Sequence, residues 1–160
     1  MSPDEIDAFL KCERTCRVAT MSPDGPHNTP LWFVWHEGCL WLNSIVRSQR
    51  WVDLLKDPRV SVVIDAGDSF TELRGVELRG SVSAVGEAPR TGLPVDELPA
   101  PELLFARKYT GADQLHYDGR HAWLRLRPST VRSWDFRKQF QADLPRPLVR
   151  MPLNETGLCR

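Results

Sequence analysis

The chain has 160 residues, of which 41% are hydrophobic and 26% charged, and its 21 basic and 21 acidic side chains leave no net charge. This balance is typical of one globular domain with a real core, and it argues against a protein that coats nucleic acid or an anionic membrane. No apolar run is long enough to span a bilayer. The acidic, amphipathic N-terminus lacks the cationic and apolar segments of a signal peptide, which predicts a cytoplasmic protein.

The first part of the chain predicts a helix followed by a three-stranded meander. Ser2 can cap a helix, Pro3 suits its first turn, and apolar residues recur at helical spacing over 6–10. Strands are predicted at residues 17–21, 29–36 and 40–45 because these runs are β-prone and separated by proline- or glycine-containing turns.

A cationic elbow follows the third predicted strand. Arg47, Ser48, Gln49 and Arg50 place two cations and two hydrogen-bonding side chains in one short segment, and a helix is predicted until Asp57-Pro58 ends it. The free N–H groups of a helix start and the forks of arginine suit a phosphate. The same pattern is also typical of a solvated basic turn before a surface helix.

The second half of the chain predicts more strands. Residues 60–64 and 72–85 read as strands, the latter with a bulge or bend at Gly75 or Gly80. A loop is predicted at 87–101, a helix at 102–109, and two final strands at 121–126 and 130–136. Six or seven short strands with tight turns predict a small antiparallel barrel or sandwich.

Motifs for metal binding or covalent catalysis are not found in the sequence. The four cysteines form no CxxC pair and have no matching Cys/His knuckle, so no metal site is predicted. No GxSxG, HExxH or P-loop pattern occurs. The catalytic residues therefore stay unassigned, since no histidine has a recognisable partner; these are His27, His36, His116 and His121.

Four segments carry a resemblance to a known family through their order and spacing. They are VATMSPDGPHNTPLWFVW, LNSIVRSQRWVDLLKDPRVSVVIDAG, ELRGVELRGSV and RSWDFRK. From Arg17 to Lys138 the chain resembles the split β-barrel flavin- and deazaflavin-binding proteins of the pyridoxamine 5′-phosphate oxidase-like superfamily. Within that superfamily it is most similar to the probable coenzyme F420-dependent reductases.

The resemblance implies a mainly β fold with a few helices, an antiparallel split β-barrel that forms a homodimer. Residues 1–140 would form the cofactor-binding barrel, and residues 141–160 would be a C-terminal tail that is irregular or packs on the partner subunit. The cofactor would lie at the subunit interface, with its ring against residues 29–32 and 42–44. The implied cofactor-binding residues are Thr29, Pro30, Trp32, Asn43, Ser44, Arg47, Ser48 and Arg50.

The elbow departs from the family pattern at two positions. Arg50 stands where the family usually has a phosphate-holding lysine, and it keeps the charge while adding a fork. Ser48 stands where many members have an arginine, a charge that Arg47 could restore by turning inward. The preferred cofactor is therefore open between F420 and FMN.

The implied function is that of an oxidoreductase acting on a small molecule. Reduced deazaflavin (coenzyme F420) would transfer a hydride to an electron-poor double bond, and the protein would orient the reactants and exclude water. An FMN-dependent oxidase or reductase of the same fold is one alternative. Another is a non-catalytic binder of the cofactor, haem or a tetrapyrrole. Neither a nucleic acid nor a membrane is expected as a partner.

The tryptophans divide between core and site. Three of them, Trp35, Trp41 and Trp123, follow strand patterns and are interpreted as core residues. Trp32 is balanced between a core position and a cofactor contact, and Trp134 is a weaker candidate for the substrate pocket or the dimer contact.

Overall fold

The computed structural model describes residues 1–140, so the predicted tail at 141–160 lies outside the described residues. The helices are α1 (Pro3–Cys12), α2 (Gln49–Lys56), α3 (Pro99–Thr110) and α4 (Arg137–Phe140), with a 3-10 turn at Phe70–Glu72. The strands are β1 (Thr15–Ser22), β2 (Gly25–His36), β3 (Cys39–Ile45), β4 (Arg59–Ala66), β5 (Arg74–Val85) and β6 (His121–Asp135).

The six strands close into a barrel in the order β1-β2-β3-β6-β5-β4. The barrel closes because β1 pairs with both β2 and β4, and every pair of neighbouring strands is antiparallel. The prediction of a mainly β, antiparallel barrel with a few helices is confirmed. No helix within residues 1–140 is both long and apolar enough to cross a membrane.

The last strand differs from its prediction. The two strands expected at 121–126 and 130–136 are one continuous strand, β6, which pairs with β3 through its first half and with β5 along its length. Proline normally interrupts a strand. Here Pro128 pairs with Gly80 and Thr130 pairs with Arg79, so Ser129 is an extra residue of β6 at a register shift, and the strand continues past the proline through this irregularity.

Glycine at this bulge permits a close backbone approach. A Cβ atom added at Gly80 would lie 2.3 Å from the carbonyl oxygen of Arg127. Backbone cannot yield as a flexible side chain can, so only glycine fits between β5 and β6 at this point. The irregularity expected at Gly75 or Gly80 therefore lies at Gly80, although the extra residue, Ser129, belongs to β6.

Strand β2 and helix α3 both begin earlier in the chain than predicted. Strand β2 begins at Gly25 rather than at residue 29, because it continues a tight hairpin with β1 in which Ser22 pairs with Gly25. Helix α3 begins at Pro99, inside the predicted loop at 87–101. Proline in the first turn of a helix loses no hydrogen bond, so the run of prolines that suggested a loop also starts the helix.

Side chains of neighbouring strand residues point to opposite faces of the sheet. In β3, Leu40 and Leu42 join the core inside the barrel, while Trp41 joins a second apolar cluster outside it. That second cluster packs under α3 and includes Phe105 and Trp123. The barrel wall therefore has a filled inner face and an outer face that α3 covers in part.

Candidate active site

A cleft of about 770 Å³ lies on the outer face of the barrel. It is bounded by residues of β2, β3 and β6, by the second half of α3 and by the segment 112–118 that follows α3. Pro30, Trp32 and Asn43 line it. A volume of this size is within the ordinary range for small-molecule and cofactor pockets.

An aromatic wall forms one side of this cleft. The Trp32 ring is stacked on Tyr109, with centroids 4.5 Å apart and an interplanar angle of 9°. Phe105 is 4.6 Å from Tyr109 and meets Trp123 edge-on at 5.5 Å. Trp32 remains 51% exposed, so it is a surface of the cleft and not a core residue.

Tyr109 is held firmly behind Trp32. Its hydroxyl accepts from the backbone N–H of Phe33 at 3.1 Å, and it lies within 2.8 Å and 2.6 Å of the carbonyl oxygens of Phe33 and Arg14. Burial raises the pKa of Tyr109 to about 12, so it stays a neutral donor. These bonds tie the end of α3 to β2 and hold the stacked pair in place.

A buried ionic network adjoins the cleft, and two of its members, Arg90 and Tyr117, line it. Arg90 and Glu102 are 5% and 8% exposed, and Nε of Arg90 donates to Oε1 of Glu102 at 2.7 Å. Glu102 also accepts from Nε1 of Trp123 at 3.2 Å and from the hydroxyl of Tyr117 at 2.9 Å. Arg90 further pairs with Glu87. The network fastens the loop before α3 and the segment after it onto β6.

The cleft also contains a histidine–carboxylate pair that sequence reasoning missed. Nδ1 of His121 lies 2.6 Å from Oδ2 of Asp118, and both residues line the cleft. Asp118 also accepts from the backbone N–H groups of Arg120 and His121, at 2.9 and 3.1 Å. Although burial alone would raise it, these hydrogen bonds and the His121 side chain lower the pKa of Asp118 to about 2.

The expectation that no histidine has a partner is therefore wrong for His121. The available signal was local: Asp118 precedes His121 by three residues at a turn before a strand, where an aspartate commonly bonds the following backbone. Arg90 and Glu102 carried no such signal, because the first lay in a predicted loop and the second on a helix with no visible partner.

Arg50 forms a second cluster on the inner side of the wall. It is 6% exposed, its guanidinium donates to the hydroxyl of Thr29, and its Nη2 donates to the hydroxyl of Ser44 at 3.2 Å. Its Nε is buried with no hydrogen-bond partner. Burial lowers the pKa of Arg50 from its ordinary value, yet a guanidinium remains charged at any physiological pH.

Arg50 is thus a buried cation with no carboxylate partner among residues 1–140. A buried charge without a counter-ion is costly. Proteins retain such groups mainly at functional sites, where an anionic ligand completes them. The orphaned Nε atom is the observation that fits a phosphate.

The eight residues expected to form one site occupy three places. Pro30, Trp32 and Asn43 line the outer cleft, whereas Thr29, Ser44 and Arg50 form the inner cluster. Arg47 is exposed at the elbow. Ser48 caps α2, since its Oγ accepts from the N–H of Trp51 at 3.2 Å and donates to the carbonyl of Ile45 at 2.7 Å.

No group of three or more His, Cys, Asp or Glu side chains within residues 1–140 is arranged to hold a metal ion. Cys16 and Cys39 are free thiols, and Cys16 is buried in the barrel core. Burial raises the pKa of Cys16 to about 12, which makes it an inert core residue.

Comparison of the sequence and the fold with known proteins identifies the family of the chain. Residues 2–135 match the pyridoxamine 5′-phosphate oxidase family, and the chain belongs to that family. The superfamily inferred from the sequence is therefore confirmed. No curated protein matches the sequence.

Solved structures agree with this assignment. A conserved hypothetical protein of Mycobacterium tuberculosis is 31% identical, with 94% of this chain and 93% of that chain covered and a TM-score of 0.73. A protein described as an F420 reductase is 22% identical, with 81% and 98% covered and a TM-score of 0.61. A FAD-binding protein of Mesorhizobium loti is 19% identical, with 83% and 93% covered and a TM-score of 0.60. The last two likenesses show the shared fold alone.

Proposed function

We propose that this protein is an oxidoreductase that uses reduced deazaflavin, coenzyme F420, to reduce an electron-poor double bond of a small molecule. The observation that carries the proposal is Arg50 of α2, a buried cation without a carboxylate partner among residues 1–140, which donates to hydroxyls on the two strands, β2 and β3, that also line the aromatic cleft. The cofactor supplies the hydride when it is bound. The chain supplies a dry aromatic surface, fixed polar groups and a cation for the phosphate.

The residues of the cleft suit a tricyclic ring. Trp32 offers a half-exposed indole whose position is set by Tyr109, so a planar ring would stack on it without reorganisation. Asn43 lies in the same cleft and can hydrogen-bond a ring edge through its amide. Thr29 precedes Pro30 on β2 and Ser44 follows Asn43 on β3, so the Arg50 cluster lies directly behind the cleft, on the other face of the same two strands.

FMN is the competing cofactor. The guanidinium of Arg50 would serve the phosphate of either molecule, and Trp32 would stack on either ring. Solved proteins that share the fold include one described as an F420 reductase and one described as a FAD-binding protein, so both a deazaflavin and a flavin are compatible with the fold. The cofactor therefore has to be decided by binding.

The test is a parallel titration of the purified apoprotein with F420 and with FMN, followed by fluorescence. Binding of F420 at least tenfold tighter than FMN is the expected result. The reverse preference would move the protein to the FMN-dependent class. Failure of both to bind would overturn the proposal and favour the alternative of a non-catalytic binder, which absorption spectroscopy with haem would then examine.

Replacing Trp32 by alanine is expected to raise the dissociation constant of F420 about 2- to 10-fold. Aromatic stacking contributes about 0.5–1.5 kcal/mol beyond buried area. Trp32→Phe should retain most of the affinity. Val131→Ala removes a similarly exposed apolar side chain from β6, outside the residues that line the cleft, and serves as the control. Equal affinities of Trp32→Ala and wild type would remove the indole from the site.

We further propose that the protein is a homodimer with the cofactor at the subunit interface. Several large apolar side chains are more than half exposed in the single chain, namely Met21, Trp32, Leu55, Phe70 and Leu93. Light scattering coupled to gel filtration should give twice the mass of 18.3 kDa. A single-chain mass at micromolar concentration would contradict the dimer and require a cofactor site built from one chain.

A further inference from the structure

We propose that His121 is the proton donor of the reaction and that Asp118 is the residue that positions it. The inference rests on the proposed function, because reduction of a polarised double bond requires one proton after the hydride. His121 and Asp118 both line the outer cleft, together with Trp32 and Asn43. The donor is therefore placed in the same cavity as the aromatic surface assigned to the ring.

The geometry fixes the orientation of the imidazole. An ionised carboxylate can only accept hydrogen bonds, so the 2.6 Å contact with Asp118 requires the proton on Nδ1 of His121. Asp118 cannot swing away easily, because two backbone N–H groups hold its other oxygen. Nε2 of His121 has no hydrogen-bond partner among the described residues and is left for a ligand.

The charge balance supports the same role. Asp118 places a carboxylate 2.6 Å from Nδ1 of His121, so the ring lies beside a negative charge. The other ionisable groups that line the cleft are Arg90, His116 and Tyr117. Arg90 is paired with the carboxylates of Glu87 and Glu102. The charged group in contact with the His121 ring is Asp118.

The chemical step balances as follows. When bound, the reduced cofactor would supply a hydride to the β-carbon of an enone, and the electron pair of the double bond would move to form an enolate. The imidazolium of His121 then gives its Nε2 proton to the α-carbon, forming the C–H bond and leaving the neutral Nδ1–H tautomer. Solvent returns the proton to Nε2.

The first test uses the apoprotein and needs no activity. Nitrogen-15 NMR of the neutral His121 ring should show the proton on Nδ1 in the wild type. Asp118→Asn should abolish this preference, because an amide can bond either tautomer. A wild-type ring protonated on Nε2 would overturn the positioning by Asp118 and the proposal with it.

The second test measures reduction of 2-cyclohexenone by reduced F420 in a single turnover. His121→Asn should slow the reaction about 10²-fold or more while leaving the dissociation constant of F420 within twofold, and added imidazole should restore part of the rate. Asp118→Asn should show a smaller loss. His36→Asn is the control, since His36 also faces a carboxylate, Glu37, but lies outside the cleft.

The outcomes separate the two proposals. A wild type that binds F420 and reduces the enone, with His121→Asn equally fast, overturns the role of His121 and leaves the proposed function standing. A wild type that neither binds F420 nor reduces the enone overturns the proposed function, and this inference falls with it.

Discussion

Replacing Arg50 by methionine is expected to weaken F420 binding by about 1–3 kcal/mol, the usual loss when a hydrogen bond to a charged group is removed. This corresponds to a rise of roughly 5- to 150-fold in the dissociation constant. The reason is that Arg50 is a buried cation whose partners are neutral hydroxyls and whose Nε has no partner. Fluorescence titration of the apoprotein measures the change.

The stability of the apoprotein should distinguish a functional from a structural arginine. Methionine fills a similar volume and removes the cost of burying an uncompensated charge, which offsets the lost bonds to Thr29 and Ser44. We therefore expect the free energy of unfolding of apo Arg50→Met to stay within about 1 kcal/mol of the wild type. A variant that binds F420 normally but unfolds much more easily would show that Arg50 only holds the barrel together.

Two further variants refine this test. Arg50→Lys keeps the charge but presents a single point donor in place of a fork, so its affinity should lie between those of wild type and Arg50→Met. Arg47→Met removes the exposed cation of the same elbow and should change the dissociation constant by less than about 1 kcal/mol. A larger effect at Arg47 than at Arg50 would place the phosphate at the outer side of the elbow.

Replacing Glu102 by alanine is expected to lower the free energy of unfolding by about 3 kcal/mol. The substitution leaves the buried guanidinium of Arg90 with Glu87 as its one remaining carboxylate partner among residues 1–140. It also removes the acceptor of the hydrogen bonds from the Trp123 indole and the Tyr117 hydroxyl. Because Tyr117 lines the cleft, ligand affinity should fall as well. Denaturant unfolding with linear extrapolation measures the first effect.

The chain offers a matched control for Glu102. Asp113 pairs with Arg107 at 2.8 Å, almost the same distance as the 2.7 Å pair of Glu102 with Arg90, but its side chain is 80% exposed. Asp113→Ala should therefore cost less than about 1 kcal/mol, because water screens exposed ion pairs. Similar losses in the two variants would mean that burial does not strengthen the Glu102 network.

Some features of the site could be anticipated from the sequence because they depend on local patterns. The two arginines of the elbow were visible, and Arg50 proved to be the one with an unusual environment. The stacking of Trp32 on Tyr109 was not visible, since these residues belong to β2 and α3 and meet only after the chain folds. Trp32 could consequently be placed neither in the core nor in the site before the structure was known.

The division of the expected site had a different origin. The resemblance to the family implied that Thr29, Pro30, Asn43 and Ser44 all face one ligand, although Thr29 and Pro30 are adjacent in the sequence, as are Asn43 and Ser44. Alternation along a strand sends neighbours to opposite faces. Pro30 and Asn43 therefore line the outer cleft, while Thr29 and Ser44 hold Arg50 on the inner side.

The sequence by itself determined a small antiparallel barrel or sandwich, the order of most of its helices and strands, and the cationic elbow, because periodicity and turn chemistry act between near neighbours in the chain. Only the tertiary structure decided that β6 is one strand, that Arg50 is buried, and that Arg90 meets Glu102 in the wall of a cleft containing His121. These features depend on strand register and on barrel closure, which bring distant segments together. A buried polar group acquires its partner only through that packing.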